Sequence, residues 1–325
     1  MIDKSTNVNA LYEGIISGNR FQLSRALTLI ESTKPTTKVQ ARELINKCWN
    51  LQKKAWRIGI TGPPGVGKSS FIEKMGLAAI ARGKTVAVLS IDPSSTISKG
   101  SILGDKTRME HLSKNERAFI RPSPNRGILG GIEERTFEAI VLCEAAGYDF
   151  VIVETVGVGQ SESRIRDLVD HLTVMVMPGS GDGIQGIKRG LLELANVILI
   201  HKADSHNLNA AASAVKDFKN TMQSTVNANH VNTVVMKASS LTSEGIDSFL
   251  DIVKIYFNKS NDIIKALRRK QHICLIEAYL QAFLYDYAKE KTQKYISSHE
   301  QDHGQFHRHS PINLAAKIFE ELTIE

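Results

Sequence analysis

The stretch Gly62-Pro63-Pro64-Gly65-Val66-Gly67-Lys68-Ser69 constrains this chain more than any other. It follows Arg57-Ile58-Gly59-Ile60-Thr61, which reads as a buried strand, and leads into Ser70-Phe71-Ile72-Glu73-Lys74-Met75, whose apolar spacing opens a helix. The pattern G-x-x-x-x-G-K-[ST] between a strand and a helix is a phosphate-binding loop. Glycine lets the backbone curl until several N–H groups aim at one point, and the helix start adds partial positive charge there. A glycine-rich turn that merely ends a strand is the alternative, and the complete strand–loop–helix context argues against it. Residues Gly62, Pro63, Pro64, Gly65, Val66, Gly67, Lys68, Ser69 and Ser70 are therefore the expected cradle of a nucleoside triphosphate. Lys68 suits the β- and γ-phosphates, and the Ser69 hydroxyl suits Mg²⁺.

With 325 residues the chain can build one sizeable α/β core with appendages. Its 42% hydrophobic and 23% charged residues are those of an ordinary globular protein. The net charge of +7 is spread along the chain; the densest basic run, Lys265 to Lys270, reads as the solvated face of a helix. It carries no nucleic-acid motif, so no nucleic-acid partner is expected. Cys48, Cys143 and Cys274 form no C-x-x-C pair and sit among apolar neighbours, which predicts reduced, buried thiols in a reducing compartment. The N-terminus lacks the apolar core of a signal peptide, and no apolar run is long enough to span a bilayer. A cytoplasmic protein with no membrane partner is the expectation.

In order along the chain, residues 1–55 form a helical segment, 56–255 the nucleotide domain, and 256–325 a C-terminal helical arm. In the first segment Leu23, Leu27 and Ile30 share one helical face and Ala41, Leu44, Ile45 and Cys48 another, separated at Pro35. From Trp56 strands alternate with helices, predicting a mostly parallel sheet covered on both faces: an α/β P-loop NTPase fold with helical extensions at both ends. Expected strands are 57–61, 85–91, 150–153, 172–177, 197–200 and 233–236. Ligands of such sheets gather at the carboxyl ends of the strands.

Chemistry-bearing runs fall at those ends. Glu154-Thr155-Val156-Gly157 offers a carboxylate for Mg²⁺ and, at Gly157, an N–H that a γ-phosphate can approach. Asp92-Pro93-Ser94-Ser95-Thr96 and Gly104-Asp105-Lys106-Thr107-Arg108-Met109 supply further carboxylates, Asp92 and Asp105, and the cations Lys106 and Arg108. A polar loop of that length inside a compact domain is usually functional. Residues 178–190 contain five glycines, a segment able to close over a ligand or partner. His201-Lys202-Ala203-Asp204 stands where guanine-reading proteins carry Asn-Lys-x-Asp. Asp204 can accept from the guanine N1–H and exocyclic amine, whereas adenine would turn an acceptor towards it. His201 in place of Asn weakens that signal, and Ser240 and Leu241 in Ala238-Ser239-Ser240-Leu241-Thr242 lie where an N–H could meet the guanine carbonyl.

With these motifs assembled the chain resembles the MeaB/MMAA family of G proteins, also known as LAO/AO transport ATPases. The resemblance is carried by Ala41-Arg42-Glu43-Leu44-Ile45, Asp92-Pro93-Ser94-Ser95-Thr96, Ser101-Ile102-Leu103-Gly104-Asp105-Lys106-Thr107-Arg108-Met109 and Glu154-Thr155-Val156-Gly157-Val158-Gly159-Gln160-Ser161-Glu162. It implies a GTPase chaperone that gates cofactor loading and protects an adenosylcobalamin-dependent acyl-CoA mutase such as methylmalonyl-CoA mutase. It implies Mg²⁺ near Ser69, Asp92, Asp105 and Glu154, and a third switch from Pro178 to Lys188 that answers to the mutase. It also implies a homodimer formed through the C-terminal helices. Gly183 departs from the acidic residue common in that switch. His299, His303, His307 and His309 read as a polar turn, since no Cys or spaced carboxylate set completes a metal site.

In-line attack of water on the γ-phosphorus needs charge neutralisation more than covalent chemistry. Lys68 and Glu154 are the resident catalytic candidates for GTP turnover to GDP, and Arg108 or Lys188 would be brought into place by the mutase. Val158 occupies the position after Gly157 where a water-positioning Gln would stand, so slow intrinsic hydrolysis is expected. Competing readings are a P-loop kinase or ATPase linked to amino-acid transport, a metal-insertion GTPase for another metalloenzyme, and a targeting GTPase whose output is binding alone.

Overall fold

The structure is a computed structural model that describes residues 7–32, 34–49, 51, 55–92, 109–124, 131–155, 165–179, 189–223, 233–298, 310, 312–316 and 319. Seven strands form one sheet: β1 Trp56–Thr61, β2 Val86–Asp92, β3 Ala118–Pro124, β4 Phe150–Thr155, β5 His171–Val176, β6 Val197–Ile200 and β7 Val234–Lys237. Their order is β3-β2-β4-β1-β5-β6-β7, and every pairing between them is parallel. The sheet expected as mostly parallel is thus wholly parallel among the described residues. Strands β4, β5 and β6 are buried at every position, the signature of a sheet covered on both faces.

Strand β3 has no counterpart among the expected strands. Its sequence, Ala-Phe-Ile-Arg-Pro-Ser-Pro, carries two prolines that argue against a strand. The sheet tolerates them because β3 is an edge, paired only with β2 through the register Val86↔Ala118 to Asp92↔Pro124.

Helices α1 Val8–Ile16, α2 Arg20–Ile30 and α3 Pro35–Trp49 precede the sheet. Asn7 and Asn19 cap α1 and α2 through side-chain oxygens that accept from the first-turn N–H groups. Between the strands run α4 Lys68–Ala81, the short turn α5 Glu110–Ser113, α6 Gly131–Ala145, α7 Arg189–Leu194 and α8 Leu208–Gln223; α9 Ile246–Lys259 and α10 Asn261–Ser298 follow. Helices α4 and α9 meet through Phe71 and Phe249, whose rings stand edge to face at 5.0 Å. That pair sits in a core with Ile58, Ile60, Ile72, Met75, Val88 and Leu199.

The chain divides into two compact units, Met1–Gln271 and His272–Glu325. The N-terminal helices belong to the first, and the expected boundary at residue 256 falls inside α9. The reason is chemical. Tyr256 donates its hydroxyl proton to the Asp170 carbonyl at 2.9 Å, and Gln271 Nε2 donates to the carbonyls of Arg166 and Val169 at 3.0 and 2.8 Å. Arg268 grips the Asp170 carboxylate with two bonds, at 2.8 and 2.7 Å. The basic run 265–270 is therefore not simply a solvated face. The second unit contains the rest of α10, and Cys274 there is exposed, whereas Cys48 and Cys143 are buried as expected. Cys274 lies in a stretch of α10 where Ile273 and Ile276 also stand about half exposed, so apolar neighbours in sequence do not bury it. Among the described residues no helix is long and apolar enough to cross a membrane.

Candidate functional site

Strand β1 lies between β4 and β5, and the phosphate loop leaves from its carboxyl end, the position where parallel sheets bind ligands. Gly62 adopts φ +148°, and a Cβ there would lie 2.4 Å from the Met175 carbonyl oxygen, so only glycine allows the loop to pass β5. Gly67 caps α4 in the left-handed region, at φ 96°. Lys68, 7% exposed, donates from Nζ to the carbonyls of Gly62 at 2.7 Å and Pro63 at 3.1 Å, holding the ammonium across the loop.

Glu154, on β4 and 2% exposed, accepts from Ser69 Oγ at 2.8 Å on one carboxylate oxygen and from Ser90 Oγ at 3.2 Å on the other. A hydroxyl and a carboxylate joined in this way are hard oxygen donors of the kind Mg²⁺ takes. Beside them Thr155 donates to Thr61 at 2.8 Å, locking the tips of β4 and β1 together. Ser90 and Thr61 were not among the expected site residues. The signal for Ser90 is a lone hydroxyl in an apolar strand, two residues before Asp92 and so on the same face of the sheet.

Two further loops follow β6 and β7. Lys202 adopts φ 58°, a left-handed conformation uncommon for a residue with a side chain and concentrated at functional sites. Asp204 accepts from the Ser239 hydroxyl in a short contact, and Ser239 Oγ in turn accepts from the N–H groups of Leu241 at 3.1 Å and Thr242 at 3.2 Å. Ser239, fully buried, is thus the residue that shapes the 239–242 loop, although Ser240 and Leu241 were the expected pair. Leu241 is 77% exposed.

His201 is 2% exposed and joins the two halves of the site. Its Nδ1 lies 2.7 Å from the Val66 carbonyl oxygen and its Nε2 lies 2.7 Å from Ser240 Oγ. Burial pushes its pKa down, aided by the Lys202 charge and opposed by the bond to Val66 and by Asp204.

The structure thus joins Ser69 to Glu154 beside Lys68, and Asp204 to Ser239 and His201 to Ser240 at the ends of β6 and β7, while Lys202 Cε stands 3.9 Å from where a Cβ on Gly67 would lie. Asp92 closes β2, but its side chain, together with Asp105, Arg108, Gly157 and Lys188, lies outside the described residues, as do His299, His303, His307 and His309.

A central strand feeding a glycine-bounded loop and a helix that starts at the loop lysine, with a carboxylate beside the following serine, defines a P-loop nucleoside triphosphatase. The family model for methylmalonyl-CoA mutase-associated GTPase MeaB matches residues 23–293, and the chain belongs to that family. A protein of Caulobacter vibrioides described as a putative GTPase is 49% identical over 242 residues, covering 74% of each chain. A mitochondrial methylmalonic aciduria type A homolog of Mus musculus is 39% identical over 278 residues, covering 82% of this chain and 67% of the mouse protein. Among solved structures, a LAO/AO transport system kinase superposes with a TM-score of 0.73 at 28% identity, covering 99% of both chains. The protein is a GTPase.

Proposed function

We propose that this GTPase serves as a chaperone of an adenosylcobalamin-dependent acyl-CoA mutase, gating cofactor loading and protecting the enzyme, with methylmalonyl-CoA mutase as the first candidate. The observation that carries this reading is the match of a mutase-associated GTPase family across residues 23–293, joined to a complete phosphate loop and a base-side Asp204. Lys68 neutralises charge on the phosphates, and the Ser69–Glu154 pair would hold Mg²⁺, which would offset the negative charge that the phosphates carry. Asp204 selects guanine, with Ser240 and Leu241 on the loop facing the base. Asp92 and Asp105 complete the acidic side, Gly157 senses the γ-phosphate, and Arg108 or Lys188 supplies a cation when the mutase docks. Lys188→Ala then leaves basal hydrolysis and GDP affinity unchanged but removes stimulation by added mutase, measured as phosphate release. Full stimulation in the variant overturns that role for Lys188. No effect of any acyl-CoA mutase on wild-type hydrolysis overturns the client reading.

A homodimer through the C-terminal arm belongs to the same proposal. Ile273, Ile276, Leu280, Phe283 and Tyr287 are each 45–56% exposed and follow one another at alternating spacings of three and four, the repeat that seams two helices. Sedimentation at micromolar concentration tests it, and a single-chain mass overturns it. A second reading, a kinase linked to amino-acid transport, follows the name of the superposed structure. The fate of the γ-phosphate separates them: free phosphate supports the GTPase chaperone, phosphoprotein the kinase.

A further inference from the structure

We propose that His201 is a positioning residue that fastens the phosphate loop to the base-side loop, and that it does so as a neutral imidazole protonated at Nδ1. The inference rests on guanine-nucleotide binding and not on the identity of any client enzyme.

The argument begins with what each partner can do. The Val66 carbonyl oxygen, 2.7 Å from Nδ1, can only accept, so Nδ1 must carry a proton. In a neutral ring Nε2 is then bare, and Ser240 Oγ at 2.7 Å must donate to it. Burial of the ring favours that neutral form. Of the charged groups near the ring, Lys202 also disfavours a second proton and Asp204 favours one; the facing side chain of α4 is the uncharged Phe71, edge to face at 5.9 Å.

One ring therefore spans two loops whose contact residues lie 135 and 39 positions away from it in the chain. On one side it holds the carbonyl of Val66, inside the curl that aims N–H groups at phosphate. On the other it fixes Ser240, next to Ser239, which orders the N–H groups of Leu241 and Thr242 and binds Asp204. The fit is close: a Cβ on Gly67 would stand 2.7 Å from the Cε1 and Nδ1 atoms of His201. The larger ring in place of the expected Asn is accommodated because the adjoining loop residue has no side chain. The tie between the two loops is made here by imidazole.

If this holds, the phosphate and base subsites are positioned as one body, and removing the ring's nitrogens loosens the complete nucleotide more than a phosphate fragment. His201→Phe keeps an aromatic ring in the packing against Phe71 and deletes both hydrogen bonds. His201→Asn restores a short donor–acceptor side chain. Affinities for GDP and for inorganic pyrophosphate are measured by calorimetry on the full chain, with circular dichroism to establish folding. The expected result is that His201→Phe loses about ten- to a hundredfold in GDP affinity, the range of two net hydrogen bonds, with a smaller loss for pyrophosphate. His201→Asn should stay within about tenfold of wild type. Long-range ¹H–¹⁵N spectra of the wild type should show a protonated Nδ1 and a bare Nε2, which packing alone does not require. Wild-type GDP affinity in folded His201→Phe overturns the positioning role, and a proton on Nε2 in place of Nδ1 overturns the tautomer. Should His201→Phe fail to fold, the spectrum and the Asn variant still decide: a wrong tautomer, or a loss in His201→Asn well beyond tenfold, rejects the proposal.

Discussion

Replacing Arg268 by Leu should cost the first unit about 3 kcal/mol. Arg268 donates from Nε and Nη2 to the two carboxylate oxygens of Asp170, at 2.8 and 2.7 Å, and again from Nη2 to the Ala55 carbonyl at 2.8 Å. Asp170 is fully buried, and beyond Arg268 its carboxylate has the Arg57 N–H at 3.3 Å. Removing one partner of a buried pair costs roughly 3–5 kcal/mol, because the other charge stays buried. The Arg268 side chain is itself 22% exposed, so water can reach the gap and the lower end of that range applies. Against a typical total of ~5–15 kcal/mol the loss is large. The neighbouring Glu144 loses its 3.7 Å ion pair with Arg268 Nη2 as well, but keeps the bidentate grip of Arg57 at 2.8 and 2.7 Å, so Asp170 bears most of the damage.

The assay is urea denaturation followed by tryptophan fluorescence. Both tryptophans, Trp49 and Trp56, lie in the first unit, and Trp56 stacks on Phe257 of α9 at 4.7 Å, so the signal reports the body that α10 is rooted in. The double variant Arg268→Leu with Asp170→Asn removes the stranded charge and should recover part of the loss. A single-variant loss below about 1 kcal/mol, the range of an exposed pair, would refute the reasoning, as would a double variant whose losses simply add.

Ser90→Ala removes the hydroxyl that holds the second carboxylate oxygen of Glu154; orienting partners of this kind are worth about 10–100-fold, and a Mg²⁺ titration of GTP hydrolysis should show that loss in apparent metal affinity. His171, fully buried beside Arg166, has its pKa pushed down from 6.5 to about 3 by burial and that neighbouring charge. The unfolded chain therefore takes up this proton near pH 6.5 while the folded one does not, so stability is intact above that pH and falls by ~1.4 kcal/mol per unit between 6.5 and 3. Thermal melts across pH 4–7 should be shallower in slope for His171→Phe, and an unchanged slope would assign the acid sensitivity elsewhere.

How much of this was legible in the chain depends on distance along it. The phosphate loop is local: its glycines, Lys68 and Ser69 are adjacent, and the strand and helix around them follow from patterns of a few residues. The buried strands β4, β5 and β6 were visible for the same reason, being short, mostly apolar runs rich in Val, Ile and Leu. Strand β3 was not, because its prolines are permitted only by its place at the sheet edge, and an edge is a property of the assembled sheet. Arg268 read as one cation in a basic run, and nothing within that run distinguishes it from Arg269 or Lys270. Its role is set by Asp170, 98 positions earlier.

His201 carries the same lesson further. By comparison with a motif it is a departure, and comparison alone counts it as a loss. What decides its role is hydrogen-bonding capacity rather than residue type. An Asn amide and an Nδ1-protonated imidazole each offer a donor group and an acceptor group from a short side chain. The ring is larger, which would exclude it if residue 67 carried a Cβ; the phosphate loop already requires glycine there for its left-handed turn. A constraint imposed by phosphate binding thus leaves room for the imidazole, and the substitution is conservative in chemistry although not in shape.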